Sequence, residues 1–262
     1  MAQNWNDFTF FSEHACHRPR LEALLSASFQ KPLVVVYAGA GFGKTTAVSQ
    51  YLAHTTYRTV WLTLAAPDNI PARFWQHMAH VFKQHRPGLG KKMERLGFPE
   101  TQHMFGTFLG DLTEELYRDN QSVAFVFDDV HMISEPAVLD FLENLLFARL
   151  ENSNIVLLTR SWPLFTNPTP VETRVIGTDD LRFSLEDTIA CLAGMSLHPD
   201  RETAEKIHNY VAGWPIALSL VALALKRGEE NAYEQVSLAT TKPALYELFE
   251  REIFTQYSAV EQ

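Results

Sequence analysis

Cysteine is scarce in this chain: Cys16 and Cys191 are the two present, far apart and in no CxxC pair. That excludes a disulfide-stapled scaffold and a zinc-ribbon arrangement. A basic surplus is lacking as well. The formal net charge is −9, which argues against the chain as a whole being a nucleic-acid binder. The longest near-apolar run, Trp214 to Leu225, is too short to span a bilayer. The first residues, Met1 to Asp7, have neither a basic start nor an apolar core, so they do not read as a signal peptide. Internal repeats and low-complexity tracts are missing too. His14, Cys16 and His17 lie close together, but no complementary set of ligands accompanies them. The expectation is a soluble cytoplasmic protein in a reducing compartment, without a membrane partner.

What is present is ordinary in bulk and specific in detail. Of the 262 residues, 46% are hydrophobic and 20% charged, a normal globular balance for one large domain with smaller appendages. Within it stands Val34-Val35-Val36-Tyr37-Ala38-Gly39-Ala40-Gly41-Phe42-Gly43-Lys44-Thr45-Thr46. A β-branched run leads into a glycine-rich turn, then Gly-Lys-Thr, then helix-compatible residues. This is the strand–loop–helix of a phosphate-binding P-loop. Glycines let backbone N–H groups curl round an anion, and the following helix N-terminus adds partial positive charge. Ala38 occupies the place of the motif's first glycine, the smallest change possible there. Gly39, Gly41, Phe42, Gly43, Lys44, Thr45 and Thr46 are the expected phosphate-binding residues, with Lys44 reaching the β- and γ-phosphates and Thr45 ligating Mg²⁺.

Further apolar strands are expected at Thr59–Leu64, in the run Val123–Asp129 that ends in two aspartates, at Asn154–Arg160 and at Thr173–Ile176. Helices are expected from Thr46 to His54, after an Asp68 or Asn69 cap with Pro71 in the first turn, over 102–118, and after a Ser134 cap with Pro136 near the start. Residues 86–100 hold three glycines, two prolines and Lys91-Lys92, and read as a surface loop; Trp162 to Pro170 reads as a proline-rich loop. Apolar strands alternating with amphipathic helices mean a parallel α/β sheet covered on both faces. Ligands of such sheets sit outside the strand carboxyl ends. The P-loop, Asp128-Asp129 and Thr159-Arg160 each follow an apolar strand, so all three converge on one edge. Asp128 is the expected second Mg²⁺ ligand, and Asp129 the residue that orients or deprotonates the attacking water. Lys44 and Asp129 are thus the catalytic candidates. Arg160 is placed to meet a γ-phosphate. His131 reads as a local hydrogen-bonding residue.

After about residue 178 the pattern turns helical. Ser184-x-x-Asp187 is a capping box, and helices are expected over 185–194, 201–212 and 215–226, with Gly213 as a C′ residue and Pro215 at N1.

The P-loop, Val126-Phe127-Asp128-Asp129-Val130-His131, Leu157-Leu158-Thr159-Arg160 and Gly213-Trp214-Pro215-Ile216-Ala217-Leu218, in this order, resemble a STAND ATPase. More narrowly they resemble the large ATP-binding LuxR-type transcription regulators of the maltose-regulon activator group. The resemblance covers nearly the whole chain. It implies a P-loop NTPase domain with ATP or ADP and Mg²⁺ as cofactors. It implies that Arg18-Pro19-Arg20-Leu21 closes over the adenine through Arg20, that Thr159-Arg160 is a sensor-1 element, and that Pro215 of the Gly-x-Pro motif touches the base. In that family ADP holds a closed monomer, while ATP with an inducer gives an open, self-associating form. DNA is bound by a C-terminal helix-turn-helix beyond an arm and a superhelical sensor. The expected layout is an N-terminal segment at 1–31, the P-loop domain at 32–178, a helical domain at 179–240 and the start of a winged helix at 241–262. The chain then reads as the nucleotide-binding module of a longer regulator: a switch with slow hydrolysis. The alternative is a turnover enzyme, either a kinase or an AAA-type ATPase. No arginine-rich lid suggests a kinase, and no Asn-Lys-x-Asp motif suggests guanine.

Overall fold

The computed structural model describes residues 16–119, 121–161 and 172–226. They divide into two compact units. One holds 19–40 and 44–181; the other holds 16–18, 41–43 and 182–226. The expected winged-helix region and the Trp162–Pro170 loop lie outside the described residues.

The larger unit begins with helix α1 (Pro19–Ser28) and strand β1 (Leu33–Tyr37), followed by α2 (Lys44–Ala53) and β2 (Arg58–Thr63). Three helices come next: α3 (Pro71–His85), α4 (Pro87–Leu96) and α5 (Gln102–Asp119). Then follow β3 (Val123–Asp128), α6 (Pro136–Phe147), β4 (Ser153–Thr159), β5 (Thr173–Ile176) and the short α7 (Thr178–Leu181). All strand pairs are parallel, in the order β2-β3-β4-β1-β5. Strand β4 therefore separates the P-loop strand from the strand that ends in Asp128.

Side chains alternate along each strand, and in the three central strands β1, β3 and β4 both sets are buried. Leu33, Val35, Phe125, Phe127, Ile155 and Leu157 pack with α3 to α6 in one continuous core. Val34, Val36, Ala124, Val126, Val156 and Leu158 point the other way and are equally buried, in the layer to which α1 and α2 bring Leu21, Leu25, Val48 and Leu52. Two buried carboxamide bonds fix the entry to β1: Asn154 Nδ2 donates to the carbonyls of Phe29 at 2.9 Å and Lys31 at 2.7 Å.

The helical layer is built on aromatics. Phe141 meets Phe74, Trp75 and Phe105 edge-on, with centroids 5.6, 5.7 and 5.6 Å apart. Each such pair contributes about 0.5–1.5 kcal/mol beyond its buried area. The buried indole of Trp75 donates to the Met93 carbonyl at 2.7 Å.

Three expectations need correction. Residues 87–96 form a helix, α4, and not a loop. Pro87 stands at the first helical position and Gly97 closes the end with φ 72°, while Gly88 and Gly90 lie within the first turn without breaking it. Leu89 and Met93 are buried on its inner face, while Lys92 pairs outward with Asp111 at 2.7 Å. The cap of α3 is Ile70, without a side-chain bond. Asp68 instead accepts from the Ala65 N–H at 2.8 Å, and Asn69 reaches across to the Met132 carbonyl and to the N–H groups of Ser134 and Glu135. Glu135, not Ser134, precedes α6; Ser134 gives both its N–H and its hydroxyl to Asn69 Oδ1. At Asn69 and Ser134 a tertiary partner replaces the local cap, whereas Asp68 is taken by the N–H of Ala65, three residues back.

The smaller unit carries α8 (Leu185–Gly194), α9 (Arg201–Val211) and α10 (Pro215–Lys226), close to the expected spans. The Ser184–Asp187 capping box forms reciprocally, both bonds at 3.0 Å. The core is Leu192, Ile207, Val211, Leu218 and Val221 with Cys191, and Cys16 packs against it.

The position of Gly90 in α4 gives a test in which the sign decides. A Cβ there would lie 2.5 Å from Lys83 Cβ and 2.6 Å from Lys83 Cα. Helix propensity alone would have Gly90→Ala stabilise by about 1 kcal/mol. Close packing of α4 on α3 instead makes the substitution destabilising, by about 1–3 kcal/mol, in urea unfolding followed by circular dichroism.

Candidate functional site

The loop after β1 keeps its first bond within the sheet: the Ala38 N–H donates to the Thr159 carbonyl at 3.3 Å. Beyond it Gly41 and Gly43 take φ of 72° and 73°, a region open to glycine and strained for other residues. Lys44 opens α2 and is almost fully buried. Its ammonium donates to the carbonyls of Ala38 at 2.9 Å and Gly39 at 3.0 Å. Burial lowers its pKa, aided by the positive charge of Arg160 and opposed by Asp129 and Asp128.

The hydroxyl of Thr45, one residue further on, donates to Asp128 Oδ2 at 2.8 Å. The other oxygen of Asp128 accepts the Asp129 N–H at 2.9 Å. Asp128 is 3% exposed, and burial raises its pKa; the Thr45 hydrogen bond pulls the other way and the neighbouring Asp129 charge adds to the rise. A buried carboxylate beside a hydroxyl is a pair of hard oxygen donors, the chemistry Mg²⁺ takes from proteins. Thr45 and Asp128 thus fit the metal expected of them.

Asp129 lies past the end of β3 and has a left-handed backbone, φ 54° and ψ 38°. This backbone takes Asp129 out of the strand, so its side chain is not placed by the alternation of β3. Asp129 Oδ1 stands 3.9 Å from Arg160 Nη2 and 3.7 Å from His131 Nδ1. Burial depresses the His131 pKa, against the pull of Asp129 and with the help of Arg160 and Lys44. Thus Gly39, Lys44, Thr45, Asp128, Asp129 and Arg160, picked from three separate stretches, form one polar cluster at the strand ends. Thr46 follows in the first turn of α2, half-buried.

The loop tip belongs with the smaller unit. The Ile216 N–H donates to the Gly41 carbonyl at 3.2 Å. The Phe42 ring stacks on Trp214, centroids 6.0 Å apart at 29°, and the Arg182 guanidinium lies 5.5 Å over the same ring. Gly213 has φ 67°, and a Cβ on it would sit 2.5 Å from the Phe183 carbonyl oxygen. Glycine is required there twice over, by backbone and by space. Pro215 begins α10 directly after this turn.

Arg20 is exposed in the first turn of α1, and no hydrogen bond or ion pair among the described residues draws it into the polar cluster. Its neighbour Arg18 is the anchored one. Arg18 Nη2 donates to the Arg182 carbonyl at 2.8 Å, Nε to Asp187 at 3.4 Å, and the guanidinium lies 4.5 Å over the Phe183 ring. Arg18 belongs to the segment expected over the adenine, but Arg20 was the residue picked from it; Arg182 and Phe183 were not among the expected site residues, because isolated residues outside any motif give no signal in a single sequence.

No protein-family profile matches the chain. It is 26% identical over 221 residues to the HTH-type transcriptional regulator MalT of Cronobacter sakazakii (strain ATCC BAA-894). That match covers 82% of this chain and 24% of MalT, so the chain spans about a quarter of the length of this relative. Among solved structures it is similar to a signal transduction ATPase with numerous domains (STAND) that has a tetratricopeptide repeat sensor, from Pyrococcus horikoshii. The TM-score is 0.57 at 15% identity, covering 79% of this chain and 29% of that one. It is also similar to a Walker-type ATPase of Pyrococcus abyssi, with a TM-score of 0.57 at 14% identity, covering 93% of this chain and 76% of that one. The likenesses in structure establish the P-loop NTPase fold.

Gly41 and Gly43 share a backbone conformation but differ in surroundings. A Cβ at Gly41 would lie 2.4 Å from Ile216 Cγ2, while one at Gly43 meets nothing within 4 Å. Gly43→Ala should cost about 1–2 kcal/mol, the left-handed backbone penalty. Gly41→Ala should cost about 1–3 kcal/mol more through overpacking. Thermal unfolding of the nucleotide-free protein compares them; equal losses would show that Ile216 does not hold the loop tip.

Proposed function

We propose that this chain, a STAND-class P-loop ATPase module of the MalT group, is a switch that binds ATP or ADP with Mg²⁺ and hydrolyses ATP slowly. The observation that carries this reading is the polar cluster itself: Lys44 in the loop, the Thr45–Asp128 hydrogen bond, and Asp129 flanked by Arg160. Each has a task in phosphoryl transfer to water. Lys44 binds β- and γ-phosphate oxygens once its bonds to Ala38 and Gly39 are released. Thr45 and Asp128 hold Mg²⁺, which neutralises charge developing on the phosphates. Arg160, half-exposed and on the next strand end, contacts the γ-phosphate.

The stacking of Phe42 on Trp214 supports a signalling use over a turnover use. It ties the loop that meets the phosphates to the turn that starts α10, so the state of the nucleotide bears on the helical unit. By likeness to MalT, the module serves a transcriptional regulator in the cytoplasm. Self-association in the ATP state and DNA binding, the latter through a helix-turn-helix outside this chain, belong to that longer architecture. Arg20 and Pro215 are the proposed contacts to the base.

The test begins with the nucleotide that co-purifies with the protein, identified after denaturation. Lys44→Ala should abolish or severely weaken ADP binding in calorimetry, and unchanged affinity would sink the assignment. Asp129→Ala should keep Mg-ATP binding and lose hydrolysis; loss of binding would exchange the roles of Asp128 and Asp129. Steady-state turnover well above about 1 s⁻¹, inside the ordinary enzyme range, would replace the switch by a turnover ATPase.

Arg160 supplies a separate check. Arg160→Ala should weaken ATP more than ADP, by about tenfold for one charge-assisted contact. Equal losses for both nucleotides would remove the γ-phosphate contact.

A further inference from the structure

His131 occupies an odd position. Its Nδ1 atom is buried and makes no hydrogen bond to any of the described residues. A buried imidazole nitrogen left without a partner is costly, and such groups are usually satisfied in the state a protein works in. Asp129 Oδ1 stands 3.7 Å away, about 0.5–1 Å beyond hydrogen-bonding reach.

The backbone around the ring is fixed from both sides. Residues Val130–Met132 form a 3-10 turn in which the Met132 N–H bonds the Asp129 carbonyl at 2.9 Å and the Ile133 N–H bonds the Val130 carbonyl at 3.0 Å. Val130 and Ile133 are buried in the core, and Asn69 Nδ2 holds the Met132 carbonyl at 2.8 Å. The Asp129 carboxylate is a third exposed, and the Arg160 side chain on its other flank is nearly half exposed at 46%. The fixed group is therefore the histidine, and the group free to leave is the arginine.

We propose that His131 is the positioning residue for Asp129, taking hold of Oδ1 when Arg160 leaves that oxygen for the γ-phosphate. This rests on the hydrolytic reading above. Nδ1 and the guanidinium lie 3.7 and 3.9 Å from the same oxygen, so exchanging one for the other keeps Oδ1 occupied and leaves Oδ2 for the water. Asp129 Oδ2 then takes a proton from water as the water oxygen bonds the γ-phosphorus. The bond from that phosphorus to the bridging oxygen breaks, its electron pair leaving with ADP, and inorganic phosphate is the second product. Nδ1 must carry the proton to donate to a carboxylate, which defines the tautomer.

The test uses His131→Leu, His131→Asn and the unmodified protein. His131→Leu should lower kcat by about tenfold or more, the loss of one hydrogen bond to a charged group, with KM and ATP affinity unchanged. His131→Asn keeps an amide nitrogen near the Nδ1 position and should recover most of the rate. In the unmodified protein with ¹⁵N-labelled histidine, the Nδ1–H of His131 should give a slowly exchanging, hydrogen-bonded signal with magnesium adenosine β,γ-imidotriphosphate and not with ADP. A role in folding alone would lower the melting temperature of His131→Leu and leave kcat unchanged, which overturns the proposal. So would equal rate losses in both variants, or the same Nδ1–H signal with either nucleotide. If His131→Leu fails to fold, the labelled protein and His131→Asn decide. Binding without any turnover in the unmodified protein would remove this proposal and leave nucleotide binding standing; no binding at all would remove both.

Discussion

The hydrogen bond from Thr45 to Asp128, 2.8 Å long, is the contact on which the arrangement of the site depends. Thr45 stands in the first turn of the helix that follows β1. Asp128 is the last residue of β3. The two strands are not neighbours, since β4 runs between them. The bond forms because three parallel strands end at one level and the phosphate loop carries the helix start across the top of β4. A slip of one residue in β3 would turn Asp128 to the opposite face of the sheet. Every residue of Val123–Asp128 is buried as placed, so a slip would also disturb close packing on both faces.

From that contact the division of labour among the charged groups follows. Asp128, buried and bonded on both oxygens, is held fixed, as suits a ligand of a hard cation. Asp129, taken out of the strand by its left-handed backbone, retains access to solvent and carries looser neighbours in Arg160 and His131. Lys44 occupies the centre, its charge compensated by carboxylates and loop carbonyls. Two adjacent aspartates thereby acquire different surroundings, which matches the separate metal and water roles proposed for them.

Much of this was readable in the residue order. Strand positions came through as apolar runs: Thr173–Ile176 falls as expected to the residue, and β3 ends one residue before the expected run, at Asp128. The capping box at Ser184 and the Gly213–Pro215 corner are local rules, decided by groups three or four residues apart, and they hold. Rules of the same kind failed at Asn69 and Ser134, where Asn69 bridges to Met132, Ser134 and Glu135 across more than sixty positions. Helix α4 was missed for a related reason. Its glycines weaken an isolated helix, yet Gly90 is what lets α4 lie against Lys83 of α3, and that packing offsets the propensity.

By itself, the sequence determined the phosphate loop, the two aspartates, the arginine after β4 and the α/β alternation that brings them to one edge. These are properties of short segments, written in hydrophobic period and in glycine, lysine and aspartate chemistry. The tertiary structure alone decided the strand order, the left-handed turn that separates Asp129 from Asp128, the orphaned nitrogen of His131 and the anchoring of Arg18 on Arg182 and Phe183. It also placed Phe42 of the loop between Trp214 and Arg182. Each of these depends on which distant groups compete for a given hydrogen bond or packing space. That competition is settled only when the chain is folded.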